Sequence, residues 1–404
     1  MQLQSNFPEK IDILVVLFDI GLTLENSAVF QSQVLDQALA LNSFGFSVGL
    51  VAMYKDREKF NSLIGNKLSQ SNIYFEVLRE KSFLENFFSM SVALRKFRKN
   101  TKHAYVRGLW GPLILKTSNF LNPIPHIYDV RGDLKDEFKA VRANKLKQFI
   151  YTNLEAWGIR TAHSVTAVTK VLAKKVSLNS SLKKEVAVIP CCINYEKFVH
   201  SEGESQYSRS SLGFSEDDLI FVYSGGLSHY QQVPAMLSLW EEFVNEPNIG
   251  FLLLTNEDPH SHPVTINGLA KFGDKLKHLS VERSEIPGIL SLANVGFMLR
   301  DSRSLNSAAS PVKFPEYLAS GLMIAASPGT GDASNLILEK GIGVLIDPSD
   351  LLDGKEQLSK LVRSIQNDGR KIHADKAKKV AKEFYDWNSF KSIFMKIYSF
   401  KSNQ

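Results

Sequence analysis

LIFVYSGG, Leu219–Gly226, is an apolar run that ends in a serine and two glycines. Its first five residues have the composition of a buried strand, and the glycines predict a tight turn after it. A helical pattern over Val233–Val244 and another apolar run over Ile249–Leu254 follow. A strand, a helix and a second strand in this order predict parallel strands joined by a crossover helix.

The same alternation continues on both sides of this stretch. Downstream, strands are predicted at Leu279–Val281, Val295–Leu299, Met323–Ala326 and Val344–Ile346, with helices at Glu285–Ala293, Pro311–Ser320 and Ala333–Lys340. Upstream, a helix is predicted at Ser27–Phe44, with strands at Ile11–Phe18, Val48–Met53, Ile73–Leu78, His103–Val106, His126–Val130, Ser164–Val168 and Val186–Ile189. The pattern therefore predicts two doubly wound α/β blocks.

The two blocks are separated by residues 200–216, which are polar and lack periodicity, as a linker does. A chain of 404 residues also exceeds one typical core. We predict a first domain over 1–199, a second over 217–385, and a C-terminal helix over 386–404 that packs back on the first domain. Two Rossmann-like domains facing a central cleft would offer both sets of strand carboxyl ends to a ligand.

Composition narrows the class of protein. The chain is 44% hydrophobic. Its net charge of +6 favours anionic partners such as nucleotides, acidic lipid or nucleic acid, and the alternative, a solvated basic surface, is not excluded by charge alone. Its two cysteines, Cys191 and Cys192, are adjacent, which excludes a disulfide framework and fits a reducing compartment. The first ten residues lack a signal-peptide pattern, and no apolar run spans a bilayer. We expect a cytoplasmic protein, either free or attached to the inner face of the membrane.

The richest candidate site lies in the second block, from Leu299 to Gly321. Ser310 is predicted to cap a helix whose first position is Pro311, so that Val312 and Lys313 lie in its first turn. A helix start of this kind binds phosphate, and Lys313 opposes the helix dipole unless an anion is present. Arg300, just past a buried strand, is a second candidate cation. The alternative is a surface pair between Lys313 and Glu316 at helical spacing.

Other candidate positions follow strand ends. Gly225 and Gly226 let the backbone approach a phosphate, although a plain turn needs glycines too. In the first block we expect acceptor contacts from the polar residues that follow its strands, with structural Asp–Arg pairing and helix capping as the alternatives. These candidates are Gly21, Ser27, Arg107, Asp129 and Arg131.

The segment Phe83–Lys102 combines apolar residues with a basic cluster. Such a combination suits docking on an anionic membrane surface, and equally a core-facing helix with a solvated basic end. Neither alternative is excluded by the sequence.

Several kinds of chemistry lack their motif. The three spaced glycines of a dinucleotide fold, the Walker loop, the zinc motif His-Glu-x-x-His and the Gly-x-Ser-x-Gly elbow are all missing. We find no convincing Asp-x-Asp metal clamp and no nucleic-acid-binding module. The sequence therefore predicts neither a cofactor nor a bound metal, and no nucleic-acid partner.

With these residues in view, the chain resembles glycosyltransferase family four, most strongly from about residue 160 to 335. The matching stretches are Ala167–Thr169, Val188–Asn194, Val222–Leu227, Ser310–Gly321 and Ala326–Asp332. The Asp-Val-Arg-Gly at Asp129–Gly132 is similar to members that build bacterial surface polysaccharides. The resemblance implies a GT-B fold and a retaining, metal-independent sugar transfer from a nucleotide-sugar donor.

The resemblance also assigns roles. Glu316 matches the glutamate that binds the donor ribose, Pro311–Lys313 the place where amides meet the diphosphate, and Gly225–Gly226 the glycine turn near the donor. The chain departs from the family at Ala308, where a glutamate usually stands, and at Gln231 and Gln232, near a common lysine. The paired glycines of the first-domain turn are reduced to Gly21.

We therefore expect a retaining glycosyltransferase of the hexosyltransferase type. Lys313, Arg300 and Glu316 are its candidate catalytic residues, and Lys313 and Arg300 replace the missing cations. The acceptor is expected to be a glycan or a lipid-linked sugar, in capsule, O-antigen or other surface polysaccharide synthesis. Two alternatives stay open: a nucleotide-sugar epimerase using His126 and Asp129, or an inactive nucleotide-sugar-binding subunit, which Ala308 motivates.

Overall fold

The computed structural model describes residues 9–18, 30–65, 68, 70–118, 123–140, 144–180, 184–200, 205–258, 262–301 and 304–399. The chain forms two compact units. The first comprises Met1–Cys192 with Trp387–Gln404, and the second comprises Ile193–Asp386.

The first unit is built on a seven-stranded parallel sheet with the order β3-β2-β1-β4-β5-β6-β7. Its strands are β1 Ile11–Leu17, β2 Val48–Tyr54, β3 Tyr74–Arg79, β4 Thr101–Arg107, β5 His126–Val130, β6 Ser164–Ala167 and β7 Val186–Val188. Its helices are α1 Asp36–Ser43, α2 Arg57–Phe60, α3 Phe83–Phe97, α4 Gly111–Ser118, α5 Leu134–Ala140, α6 Lys145–Thr161, α7 Lys170–Ser180 and, near the chain end, α16 Lys391–Ser399.

The second unit contains a six-stranded parallel sheet with the order β10-β9-β8-β11-β12-β13. Its strands are β8 Leu219–Ser224, β9 Ile249–Leu254, β10 Leu276–Leu279, β11 Val295–Met298, β12 Met323–Ala326 and β13 Gly343–Leu345. Its helices are α8 Tyr195–His200, α9 Val233–Trp240, α10 Pro263–Phe272, α11 Ile286–Leu290, α12 Lys313–Ala319, α13 Ala333–Lys340, α14 Leu351–Asp368 and α15 Arg370–Tyr385. In both sheets the strand order reverses beside the first strand, as it does in doubly wound sheets.

The central strands explain the continuous apolar runs of the sequence. Along β1, Ile13 and Val15 join the core on one face of the sheet, while Leu14 and Val16 join the core on the other. Successive strand residues point to opposite faces, so a strand covered by helices on both faces must be apolar throughout. The predicted fold class, two Rossmann-like α/β units, is therefore confirmed.

The bounds of some elements differ from the prediction. The predicted strand Leu279–Val281 is instead β10, Leu276–Leu279, an edge strand in which only Leu276 is fully buried. An edge strand tolerates polar residues such as Lys277 and His278, so it lacks the apolar run on which the prediction relied. Most of the predicted linker, from residue 205 onward, lies in the second unit and includes the 3₁₀ turn Ser210–Leu212.

The chain returns to the first unit after α15. Ile193 and Asp386 form an isolated parallel bridge, and the Ile193 amide donates to the Tyr385 carbonyl at 2.8 Å. Beyond this point Phe394 of α16 is fully buried, with its ring 6.3 Å from that of Phe44. Among the helices that the structure describes, none has both the length and the apolar character required to cross a membrane.

Candidate functional site

The ammonium group of Lys313 lies against the glycine turn that follows β8. Its Nζ atom is 3.0 Å from the position that a Cβ atom on Gly225 would occupy. It also lies 4.2 Å from the centroid of the Tyr223 ring and donates to Gln231 Oε1 at 3.3 Å. The structure thus brings together Gly225 and Lys313, which were predicted separately. Lys313 also contacts Gln231, which lies near the position of a lysine common in the family that the sequence resembles.

Lys313 is a partly buried cation in positively charged surroundings. Burial and, second, the charge of Arg300 lower the pKa of Lys313 to about 7, with only Glu316 acting in the opposite direction. Among the described residues, no carboxylate forms an ion pair with it. A cation withdrawn from water normally has an anionic partner, and its pKa falls when it lacks one. The surroundings of Lys313 therefore suit a bound anion.

Arg300 follows β11 and approaches the same place. Its guanidinium lies 5.8 Å from the centroid of the Tyr230 ring, and Nη1 donates to Asn306 Oδ1 at 3.4 Å. The backbone of Arg300 is fixed by Ser327, whose hydroxyl accepts from the Arg300 amide at 2.8 Å and donates to its carbonyl at 2.9 Å. The hydroxyl thus holds Arg300 near the carboxyl ends of two neighbouring strands.

Glu316 pairs with a residue that the sequence analysis did not single out. Its buried carboxylate accepts from Arg283 Nη2 at 2.7 Å. The alternative of a surface pair between Lys313 and Glu316 is therefore wrong, because Glu316 is buried and paired with Arg283, and Lys313 donates to Gln231 instead. Arg283 lies 33 positions away in the sequence, and no local spacing connects the two residues.

The start of α12 also differs from the prediction. The helix begins at Lys313, and its N-cap is Val312, without a side-chain cap, rather than Ser310. The Phe314 amide already donates to the Pro311 carbonyl at 3.2 Å, because the chain tightens into a turn before the helix. With seven residues, α12 has a short dipole, so positive side chains contribute most of the charge offered to an anion here. Donor contacts by Ser310, Pro311, Val312 and Gly226 remain predictions.

In the first unit, Arg107 and Asp129 form a buried ion pair. Asp129 Oδ2 lies 2.6 Å from Arg107 Nη2, and Asp129 Oδ1 accepts from the Thr166 hydroxyl at 2.9 Å. Burial alone would raise the pKa of Asp129, but Arg107, Arg131 and Thr166 outweigh it and hold that pKa below its usual range. Both carboxylate oxygens are thus occupied by protein, which makes Asp129 a residue that positions the two arginines.

Arg131 lies at the edge of the same network. Its Nη1 is 3.6 Å from Asp129 Oδ2, and its Nη2 donates to Gln33 Oε1 at 3.1 Å and to Cys191 Sγ at 2.9 Å. Arg107 Nη1 also donates to the Gln33 carbonyl at 2.6 Å. Gln33 belongs to the π-helical turn Gln31–Leu35, an irregularity that often accompanies functional sites. Arg131 keeps 22% of its side chain exposed, whereas Arg107 keeps 9%.

Arg107, Asp129 and Arg131 line a cavity of about 250 Å³ at the carboxyl ends of β4 and β5. Gly21 and Ser27, the other predicted acceptor contacts, lie outside the described residues. A larger cavity of about 530 Å³ lies between β7 and α16 and contains none of the predicted site residues. Within the described ranges, no group of three or more His, Cys, Asp and Glu side chains is placed to hold a metal ion.

The candidate acid–base pair of an epimerase is not brought together. His126 and Asp129 lie three residues apart on β5, a separation of about 10 Å along a strand. Burial lowers the pKa of His126 to about 4, and the Asp129 carboxylate is already paired. Neither group has the geometry to exchange a proton with a shared ligand.

Comparisons with known proteins give a fold. No protein-family model matches the chain, and no curated sequence matches it. Among solved structures it is similar to sucrose-phosphate synthase from Thermosynechococcus elongatus, at 14% identity and a TM-score of 0.68 over 96% of this chain and 98% of that one. Anabaena HepE, solved in complex with UDP-glucose, shares 14% identity at a TM-score of 0.67 over 95% of this chain and 98% of that one.

A putative UDP-N-acetylglucosamine 2-epimerase from Listeria monocytogenes is less similar. It shares 12% identity at a TM-score of 0.58, over 95% of this chain and 94% of that one. At such identities the likeness extends to the fold alone. The chain has the two-domain architecture of the GT-B glycosyltransferases.

Proposed function

We propose that this protein is a glycosyltransferase that moves a sugar from a nucleotide-sugar donor to an acceptor. The observation that carries the proposal is the partly buried Lys313 ammonium beside Gly225, which has no ion pair with a carboxylate among the described residues. The similarity to HepE, a protein solved with UDP-glucose, supports a nucleoside diphosphate as the anion. Glu316 and Arg283 are then available to the ribose.

The proposed chemistry follows from charge. As the glycosidic bond breaks, negative charge develops on the departing diphosphate, and cations already aimed at it lower the barrier. Lys313 and Arg300 provide two such charges, near enough for Arg300 to lower the pKa of Lys313. We propose that they make a metal ion unnecessary, and that the anomeric configuration is retained as in the family that the sequence resembles.

The decisive experiment replaces Lys313 with methionine, which keeps the apolar stem and removes the charge. We expect K313M to weaken UDP binding, measured by calorimetry, and to cut sugar transfer about 100-fold or more. Lys340→Met is a matched control, because Lys340 also lies over an aromatic ring, that of Phe384, at 4.8 Å. Equal UDP affinity in K313M and wild type would overturn the proposal.

The same assays separate the alternatives. Donor binding without turnover across a panel of acceptors would favour an inactive subunit, for which Ala308, buried and without a carboxylate, is the motive. Conversion of the donor sugar to its epimer without any acceptor would favour an epimerase, which the separation of His126 and Asp129 disfavours.

We further propose a cytoplasmic enzyme that works on a membrane surface in surface-polysaccharide synthesis. One face of α3 is in the core, with Met90, Leu94 and Phe97 buried. Its other face exposes Leu84 and Phe88, each 68% accessible. Exposed basic residues, including Arg95 and Lys99, follow toward the end of the helix and beyond it. Exposed apolar residues beside cations suit an anionic bilayer.

A second helix extends this surface. The first turns of α6 expose Leu146 and Phe149, which are 66% and 67% accessible. The Trp110 ring contacts Phe83 at the start of α3 and Tyr151 of α6, with centroids 5.1 and 5.6 Å apart, so the two helices begin near each other. The sequence analysis did not single out α6.

Vesicle flotation tests the membrane proposal. We expect the protein to float with phosphatidylglycerol vesicles and to remain unbound with phosphatidylcholine alone. Phe88→Glu and Phe149→Glu should each reduce flotation several-fold. Leu338→Glu, at a residue 62% exposed in the second unit, should leave it unchanged. Equal flotation of all variants, or none by the wild type, would refute this surface.

A further inference from the structure

The cavity at the ends of β4 and β5 is lined by both arginines and carboxyl groups. Arg107, Asp129 and Arg131 line it, and so do Glu137 of α5 and Glu155 of α6. The remaining lining is mainly apolar and includes two aromatic side chains, Phe30 and Tyr128. Arg107, Asp129 and Arg131 were predicted from the sequence, whereas neither glutamate was.

Glu155 has no hydrogen bond or ion pair with any residue that the structure describes. Burial, followed by the charges of Glu137 and Asp133, raises the pKa of Glu155 to about 8, with Lys135 opposing. A carboxyl group with such a pKa is mostly protonated at pH 7, so it can both donate and accept a hydrogen bond. It also borders a second cavity of about 270 Å³.

Glu137 is placed by the glycine of the Asp-Val-Arg-Gly motif. A Cβ atom on Gly132 would clash with Glu137 Oε1, so the carboxyl group lies directly against the backbone of this residue. The absence of a side chain at position 132 therefore leaves room for the Glu137 carboxyl group. Asp129, Arg131 and Gly132 of the motif all line the cavity.

The side chains that line the cavity limit the class of ligand that can bind there. A phosphate would meet Glu137 and Glu155, and a simple cation would meet Arg131, so neither ion is matched by the whole cavity. A neutral ring with several hydroxyl groups is matched, because each hydroxyl both donates and accepts, and aromatic side chains can cover the apolar part of the ring.

We propose that this cavity binds a neutral sugar ring, with Arg131, Glu137 and Glu155 hydrogen-bonding to its hydroxyl groups. The description of this sugar as the acceptor rests on the proposed function, whereas its binding does not. Glu137 and Glu155 thus join the predicted acceptor-binding residues, and the ligand class on the acceptor side is a neutral sugar.

Ligand-observed NMR with a panel of neutral mono- and disaccharides tests the proposal directly. We expect at least one sugar to bind the wild type, and Glu155→Ala to weaken it about 10-fold. Glu155→Gln, which keeps a donor and an acceptor, should retain most of the affinity. Asp136→Asn is the control on α5, because Asp136 pairs with Lys139 and Lys175 and does not line this cavity. Absence of binding by every sugar, or equal binding by Glu155→Ala, would overturn the proposal.

A pH series on the wild type and Glu155→Gln tests the proposal even if the alanine variant fails to fold. The charged groups around Glu155 are Asp133, Lys135 and Glu137, with Arg131 across one cavity and Arg160 and Lys175 in the adjoining one. Wild-type sugar affinity should fall between pH 7 and 9 as the Glu155 proton is lost, and Glu155→Gln should remove that fall. A fall of equal size in Glu155→Gln would contradict the proposal. UDP affinity, measured in parallel, reports separately on the proposed function.

Discussion

At the scale of single residues, the two units use charge in different ways. In the first unit Asp129 neutralises Arg107 within hydrogen-bond distance, and both are almost completely buried. In the second unit Lys313 is partly buried, with a ring, an amide oxygen and another cation around it, and only Glu316 as an opposing charge. A satisfied pair stabilises the protein or positions its neighbours, whereas an unsatisfied cation costs stability and is retained where a ligand uses it.

Proton uptake should accompany UDP binding. Because the pKa of Lys313 is about 7, roughly half of the ammonium is deprotonated at pH 7 and most of it at pH 8. A bound diphosphate favours the charged form, so binding near pH 8 should take up close to one proton and weaken as pH rises. Calorimetry in buffers of different ionisation enthalpy measures this number. K313M should take up none, and an unchanged proton count in that variant would exclude Lys313.

Asp129→Ala should destabilise the protein by about 3–5 kcal/mol, because it leaves the buried Arg107 without its counter-charge. Lys96→Ala, which removes an exposed partner of Glu76, should cost less than about 1 kcal/mol. Urea denaturation followed by circular dichroism measures both. Similar losses in the two variants would show that the Asp129 network contributes little to stability.

At the scale of elements, α12 is held close to the sheet of the second unit by a glycine. A Cβ atom on Gly296 of β11 would clash with the ring of Tyr317, which is fully buried. The Tyr317 hydroxyl accepts from the Ser224 amide at 2.8 Å, at the end of β8. The same helix carries Lys313 and Glu316, so the small residue in β11 sets the position of both candidate side chains.

Gly296→Ala should therefore affect binding as well as stability. We expect a loss of about 1–3 kcal/mol from overpacking, together with weaker UDP affinity as α12 is pushed outward. Gly268→Ala in α10 is the control, since its nearest neighbour, Leu237 Cδ1 at 3.3 Å, is the end of a flexible side chain. Unchanged UDP affinity in Gly296→Ala would show that the position of α12 does not limit binding.

At the scale of the whole molecule, the sequence predicts best those elements whose residues are buried, because burial requires apolar residues. The bounds of β9 and β12 agree with prediction because their apolar runs are uninterrupted, and the bounds of β5 and α13 agree as well. The bounds of the edge strand β10 differ from prediction because the strand contains polar residues, and the start of α12 differs because a tight turn precedes the helix. Lys313, Arg300 and Gly225 were predicted from strand ends. Arg283 and Glu155 were not, because their roles arise only from residues distant in sequence.

Hydrogen exchange should locate the two ligands on different units. UDP is expected to slow amide exchange in the second unit around 222–232 and 299–317, because Gly225, Arg300 and Lys313 lie in these segments. The neutral sugar is expected to slow exchange in the first unit around 128–137 and 150–156, where Arg131 and Glu155 lie.

K313M should remove the first pattern and leave the second, and Glu155→Ala should do the reverse, because each side chain contributes to one site only. Exchange followed by mass spectrometry at a UDP concentration of about 100 Kd would give a stabilisation of about 2.7 kcal/mol where the ligand binds. Protection by UDP confined to the first unit would reverse the assignment of donor and acceptor sides, whatever the catalytic assays report.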